Sequence, residues 1–419
     1  MTDGIGNTNS NSGRTSSRTS VGMLIVITIG LSALLATPAF ASKETILYSF
    51  AGAPDSANPA RRLIQDAAGN LYGVTTAGGI YGGGTAFELS PHNGTWVETV
   101  LHSFGGPGDG RIPSGTLILD NAGNLYGGAP PVVYKLSSDG QGNWTETILK
   151  TFTGKPPLSP IGALTMDTAG ILYGATEGVN GRGVIYRLSP PAKNSKTGQW
   201  KYALLYRFPR HKGNNGGGPT GDMVFDGSGN LYGTTNLGGA NGQGSVFELS
   251  PATKIWTENT LYSFEGLADG GNVVGSVIFD ATGNLYGTAV SGGAHNAGVV
   301  FEVSPGTGGW SETVLYSFTG GSDGEDPIGP LTLHMGNLYG VTVCGGNGPQ
   351  CSDGNGDGVV FELSPSGGGW TQKVLHAFSA LPDGTLPQGG VMFDSSGNLY
   401  GTTFYGGSAN NGTVYKIKP

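Results

Sequence analysis

The chain is poor in charge, in cysteine and in long apolar runs. Only 12% of its 419 residues are Asp, Glu, Lys or Arg, about half the usual globular share of roughly 25%. A disordered chain shows high net charge and few aromatics, whereas 9% of this one is Phe, Trp or Tyr. Lys and Arg number 21 against 29 Asp and Glu, a net charge of -8. That balance argues against nucleic acid, whose binding rests on cationic side chains neutralising phosphates. No segment keeps an apolar period of 3.6 residues, so almost no helix is expected. Beyond residue 41 no apolar run approaches the roughly 20 residues of a membrane-spanning helix, so the mature chain is expected to carry no membrane span.

The first 41 residues read as an address. Arg14 and Arg18 precede an uncharged apolar stretch from Val21 to Ala36, which ends in Thr37-Pro38-Ala39-Phe40-Ala41. A basic start, a short apolar middle and an A-x-A ending mark a secretory signal peptide. Cleavage is expected after Ala41, leaving an exported, soluble, acidic product in the periplasm or outside the cell. The last residues, Lys416-Ile417-Lys418-Pro419, carry no apolar anchor.

Glycine is what the chain has in excess, 79 residues, and they follow no G-X-Y triplet, which excludes collagen. They belong to a repeat. Leu-Tyr-Gly recurs at Leu71, Leu125, Leu172, Leu231, Leu285, Leu338 and Leu399, and a second motif, L-[YHK]-x-F, ends at Phe50, Phe104, Phe152, Phe208, Phe264, Phe318 and Phe378. Seven copies of about 54 residues fill the chain after residue 41. Each copy reads as four short strands rich in Val, Tyr, Phe and Thr, punctuated by Gly, Pro, Asn and Asp. In the fifth they fall at Val274–Asp280, Asn284–Ala289, Gly298–Ser304 and Trp310–Phe318.

Between the first two strands stands D-x-x-G-N, where Asp bonds backbone N–H groups ahead of it and Gly supplies a positive φ. Asp66, Asp120, Asp167, Asp226, Asp280 and Asp394 fill the slot, and the sixth copy breaks it with His334-Met335-Gly336. Repetition at a turn marks these Asp residues as structural.

Four-stranded units repeated four to eight times are the signature of a β-propeller. The chain begins with a fourth strand, Glu44–Phe50, that lacks its three predecessors, and ends at Pro387–Pro419 with three strands and no fourth. An all-β, seven-bladed propeller of four-stranded blades over residues 42–419 is therefore expected. The N-terminal strand completes the C-terminal blade and closes the ring, leaving no open sheet end. The units G-N-L-Y-G-T-T…G-x-V-F-E-L-S-P…W-T-E-T-x-L-Y-S-F resemble the bacterial GloVer (Gloeo-Verruco) tandem repeat. The resemblance implies an exported repeat protein and brings no particular activity with it.

Binding sites on a rigid scaffold concentrate on its loops. The Gly-rich loops between second and third strands share a face with the loops that carry Asp-Gly, and this is the expected ligand face. The Asp-Gly loops offer Asp109, Asp269, Asp323 and Asp383, with Asp55 a looser match, as an acidic ring or, on the plainer reading, as turn residues. Tyr81, Phe404 and Tyr405 stand outside the repeat slots on blades one and seven, where they could stack on a sugar or grip a peptide. Asp353, Asn355 and Asp357 alternate with glycines as calcium ligands do, or form a polar turn without metal. Cys344 and Cys351, the only cysteines, read as a disulfide pinning that loop.

No catalytic set emerges. The carboxylate pairs Glu88/Glu98, Glu248/Glu258 and Glu302/Glu312 recur around the ring, which points to a solvated rim rather than an acid and base. The six histidines are scattered, His102 and His376 merely replacing the Tyr of L-Y-x-F. The sequence thus predicts a monomeric, non-catalytic binding or scaffold module for an extracellular glycan or protein. The alternatives are a carbohydrate-active hydrolase or lyase at the channel mouth, and a structural protein of the envelope or matrix.

Overall fold

Runs of β-branched and aromatic residues favour strands, and tight glycine turns between them favour pairing with the next run in sequence. In the computed structural model they do so in seven antiparallel sheets. Residues 43–153, 159–177, 183–209, 217–252, 255–349, 351, 356–379 and 381–419 are described, and among them there is no helix. Blade 2 shows the plan, with strands Ser114–Leu119, Leu125–Ala129, Val132–Ser138 and Trp144–Thr151 pairing in order. The seventh blade is made from both ends of the chain. Its outer strand is Lys43–Ser49, paired with Thr413–Lys418 so that Lys43 faces Lys418 and Ile46 faces Tyr415. The ring is a seven-bladed β-propeller closed by its N-terminal strand.

Each element of Leu-Tyr-Gly has a separate task. The Leu is wholly buried, as at Leu71, Leu125 and Leu285. The Tyr hydroxyl reaches back to the turn, Tyr126 donating to Asp120 Oδ2 at 3.0 Å. The Gly leaves room for the third-strand aromatic ring, since a Cβ on Gly287 would lie 2.5 Å from Phe301. At the turn, Asp120 accepts from the Ala122 and Asn124 N–H groups and from Asn124 Nδ2. Burial opposes ionisation there, but these bonds outweigh it and hold the Asp120 carboxyl below its ordinary value. In the sixth copy, which lacks the Asp, Glu362 accepts instead from Asn337 Nδ2 and the Tyr339 hydroxyl.

The core lies between blades. Phe264 of the fourth blade packs edge-on against Phe301 of the fifth at 4.9 Å, and Phe50 against Phe87 at 5.1 Å. The tryptophans do the same further out, Trp200 against Tyr126, Trp256 against Tyr173, Trp310 against Tyr232 and Trp370 against Tyr286.

The first strands of blades 4 and 5 pair over less of their length than the sequence suggests. In blade 5 only Ile278–Phe279 and an isolated Gly271–Ser291 bridge pair, rather than all of Val274–Asp280. The reason lies at the axis, where the backbone leaves its own sheet to meet the next blade. A Cβ on Gly275 would stand 2.9 Å from the Gly329 carbonyl oxygen.

Candidate functional site

The loops expected to share a face do touch. Gly293 N–H donates to Leu267 O, Gly346 N–H to Gly321 O and Gly407 N–H to Asp383 O, each joining a Gly-rich loop to the loop that leads into the same blade. The Asp-Gly carboxylates are turned into this framework. Asp269 Oδ2 accepts from Glu265 N–H at 2.7 Å and from the Tyr262 hydroxyl at 3.0 Å. Asp323 accepts likewise from Thr319 N–H and Tyr316, and Asp55 from Ala51 N–H and Tyr48. At Asp109 and Asp383 the aromatic partner is a histidine, His102 at 3.0 Å and His376 at 3.2 Å.

A glutamate of the adjoining blade completes all of these groups but that of Asp323, which the sequence reading missed. Glu98, Glu258 and Glu312 are not on a solvated rim. They alternate with exposed neighbours along the fourth strands and stand half-buried against the adjacent blade. Tyr48 donates to Glu98 at 3.3 Å and Tyr206 to Glu258 at 3.4 Å. Burial, reinforced by the Asp269 charge, pushes the Glu312 carboxyl up to about 7. Burial and then Asp109 do the same to Glu146, also to about 7. Gln372 takes the slot at one interface, and at another the slot holds Tyr202, with Lys150 lying 5.1 Å from its ring. The signal was present in the sequence as W-x-E at a fixed offset from L-Y-x-F.

The carboxylate pairs do not converge. Leu89 faces Glu98 across the strands while Glu88 faces Thr99, so the two glutamates point to opposite sides of the sheet. The same register splits Glu248 from Glu258 and Glu302 from Glu312.

The loop face exposes apolar side chains beside polar ones such as Arg111, Glu265 and His295. Seven of the twelve large hydrophobic side chains exposed among the described residues lie there: Ile80, Tyr81, Ile112, Leu237, Leu267, Leu381 and Tyr405. Tyr81 is 51% exposed and lies against the Gly105–Gly106 backbone, while Tyr405 is 38% exposed and stands edge-on to Phe404 at 4.8 Å. Asn58 Nδ2, from the first strand of blade 1, donates to the Phe404 carbonyl. Cys344 and Cys351 form the disulfide. Asp357 is buried, and Asp353 and Asn355 lie outside the described residues.

At the axis the seven first strands enclose a cavity of about 290 Å³, the low end of small-molecule sites. Its wall is a ring of glycines, each five residues ahead of the turn position: Gly115, Gly162, Gly221, Gly275, Gly329 and Gly389. Each meets the next blade so closely that a Cβ would stand within 2.0 to 2.9 Å of a backbone atom. The seventh slot holds Arg61, the one side chain in the ring. Its Nε–H is buried and donates to no partner among the described residues, while Nη1 donates to the Ala60 carbonyl at 3.2 Å. Burial pulls the guanidinium below its ordinary value, against the opposite pull of the Asp222 charge. Among the described residues no carboxylate forms an ion pair with it. Glu177 and Asn236, where second strands give way to the loop face, also line the cavity.

With the repeat and its ring in place, the family is decided by residues 129–349 and 256–419, which match the Gloeobacter/Verrucomicrobia repeat model. The chain belongs to this repeat family. Among solved structures it is similar to virginiamycin B lyase from Staphylococcus aureus, at 14% identity and a TM-score of 0.54 over 90% of this chain and 99% of that one. It is also similar to YCF48 from Cyanidioschyzon merolae, at 13% identity and a TM-score of 0.53 over 90% and 99% of the two chains. The extracellular domain of the putative one component system BT4673 from B. thetaiotaomicron gives 13% identity and a TM-score of 0.52, over 86% of this chain and 40% of that one. At such identities the likeness is one of fold. No curated protein matches the repeat chain in sequence. No helix among the described residues is long and apolar enough to cross a membrane.

Proposed function

We propose that this chain is an exported, non-catalytic binding module for an extracellular glycan that bears carboxylates. The ligand approaches over the face built by the Gly-rich and Asp-Gly loops and presents a carboxylate to Arg61 in the channel. The observation that carries this reading is Arg61 itself, a guanidinium without an ion-pair partner among the described residues, in the slot that six other blades reserve for glycine. A planar guanidinium fork matches a carboxylate in two parallel hydrogen bonds. Exposed Tyr81 and Tyr405 supply flat apolar faces on the approach, and the single disulfide fits an oxidising compartment.

The test is affinity electrophoresis of the protein against soluble polyuronates and neutral polysaccharides, with the same mixtures assayed for new reducing or unsaturated ends. Retardation by polyuronates alone is expected, without product, and it is expected to disappear in Arg61→Gly, which restores the residue of the other six blades. Product formation makes the chain a carbohydrate-active hydrolase or lyase. Neither retardation nor product leaves a structural protein of the envelope or matrix that binds other proteins.

A further inference from the structure

Two of the seven blade interfaces differ from the rest in one respect. The aromatic slot of L-[YHK]-x-F holds His102 at the junction of blades 1 and 2, and His376 at the junction of blades 6 and 7. Each histidine meets two carboxylates, the Asp-Gly aspartate of its own loop and a glutamate from the adjoining outer strand. His102 Nε2 lies 3.0 Å from Asp109 Oδ2 and 3.8 Å from Glu146 Oε2. His376 Nε2 lies 3.2 Å from Asp383 Oδ2, with Glu44 in the third place. In both groups one donor atom from each residue lies within 4.8 Å of the other two. Donors held at the zinc–nitrogen and zinc–oxygen distances of roughly 2.0 to 2.2 Å stand about 3.3 Å apart in a tetrahedron.

A second, separate observation points to a missing partner. Glu146 Oε1 and Glu44 Oε1 are both buried and accept no hydrogen bond among the described residues, a state shared at the other junctions only by Glu312 Oε1, which has no imidazole beside it. Native structures seldom leave such an atom unmatched. The side chains of Asp109 and Glu146 are only 9% and 14% exposed, whereas His102 is 23% exposed. An ion can therefore enter past the imidazole and keep a water in its fourth position. The aspartates are already aimed, because Gly105 and Gly110 N–H groups hold Asp109 and the Ser379 and Gly384 N–H groups hold Asp383. Outer contacts of this kind orient metal ligands.

We infer that His102, Asp109 and Glu146 form one site for a divalent first-row transition ion such as zinc, and that Glu44, His376 and Asp383 form a second. One imidazole with two carboxylates and an open position suits zinc better than calcium, which takes six to eight oxygens. The other junctions place Tyr48, Tyr206, Tyr262 or Tyr316, or Lys150, in the slot, and neither a phenol nor a protonated lysine supplies the nitrogen ligand. The second site has the larger consequence. Glu44 belongs to the closing strand Lys43–Ser49, so an ion there ties the N-terminus of the ring to blade 6 as well as to its own sheet.

The test is zinc titration of the chelator-stripped protein, followed by calorimetry and by analysis of bound metal after dialysis. Two ions per chain are expected, one per group. His102→Tyr and His376→Tyr install the residue that the chain carries at its other junctions, and each is expected to lose one ion while keeping its circular dichroism spectrum. The double variant is expected to lose both. Glu146→Gln, with the histidine intact, is expected to weaken its site at least about 10-fold. Zinc is also expected to slow proteolysis of the N-terminal strand in the parent and in His102→Tyr, and not in His376→Tyr. Absence of zinc uptake at micromolar concentration, or uptake that survives in the double variant, overturns the assignment.

Discussion

Gln372 Nε2 donates to the Asp323 carbonyl oxygen at 3.1 Å, in the slot where five other junctions bury a glutamate. The chain thus contains its own neutral variant of a charged interface, and Glu312 is the natural place to copy it. Burial and then Asp269 raise the Glu312 carboxyl to about 7 from an ordinary 4.5, and the Tyr262 hydroxyl shares the same surroundings. A raised carboxyl favours the folded state below its unfolded value, and that contribution is lost as pH rises through about 7. Glu312→Gln is expected to melt near the parent at pH 5 and above it at pH 8. Thermal denaturation at the two pH values checks this, and a variant less stable than the parent at pH 8 contradicts it.

Gly287 lies so close to the Phe301 ring that a methyl group would enter it, at 2.5 Å. Gly287→Ala is expected to cost about 1–3 kcal/mol through overpacking. Shortening the ring in Gly287→Ala/Phe301→Leu is expected to return part of that loss. Urea denaturation of the two variants measures the difference.

Trp256 is buried against Tyr173 of the preceding blade, their rings 6.1 Å apart. Trp256→Ala is expected to destabilise the fold by about 3 kcal/mol. Tyr81→Ala, at an exposed loop position, is expected to change stability by less than about 0.5 kcal/mol. A comparison of their unfolding midpoints separates the packing aromatics from the surface ones.

Removing Lys43–Ser49 leaves the strand Thr413–Lys418 with an unpaired edge. Such edges template association, so the shortened protein is expected to self-associate in light scattering. A synthetic peptide of residues 42–50 is expected to restore the parent's scattering by filling the gap.

The blade plan and the seam could be read in the sequence because both follow from local order. Leu-Tyr-Gly, D-x-x-G-N and L-Y-x-F each act within one blade, and seven copies at fixed spacing leave little freedom. The glutamate junctions were harder. Glu98 and Glu312 sit in outer strands whose alternation suggests water, but the side that carries them faces a blade about 50 residues away in sequence. His102 and His376 read as substitutions for Tyr because their partners, Glu146 and Glu44, come from other copies. Arg61 was legible in principle, since aligning the copies on the turn Asp puts it alone among six glycines. What that alignment could not supply was the position of the slot on the channel wall.

The pairing of Lys43 with Lys418 also orders events in time. Apart from the contact of blades 7 and 1, every other junction forms between neighbouring copies, while this pairing must bring together the two ends of a chain several hundred residues long. Contacts of such separation are the slowest to form. The strand made first is therefore the last to find its place, and until then the incomplete ring offers two bare sheet edges. Mutations in Lys43–Ser49 that spare Glu44 should act on how long the chain remains in that state, and so on its yield.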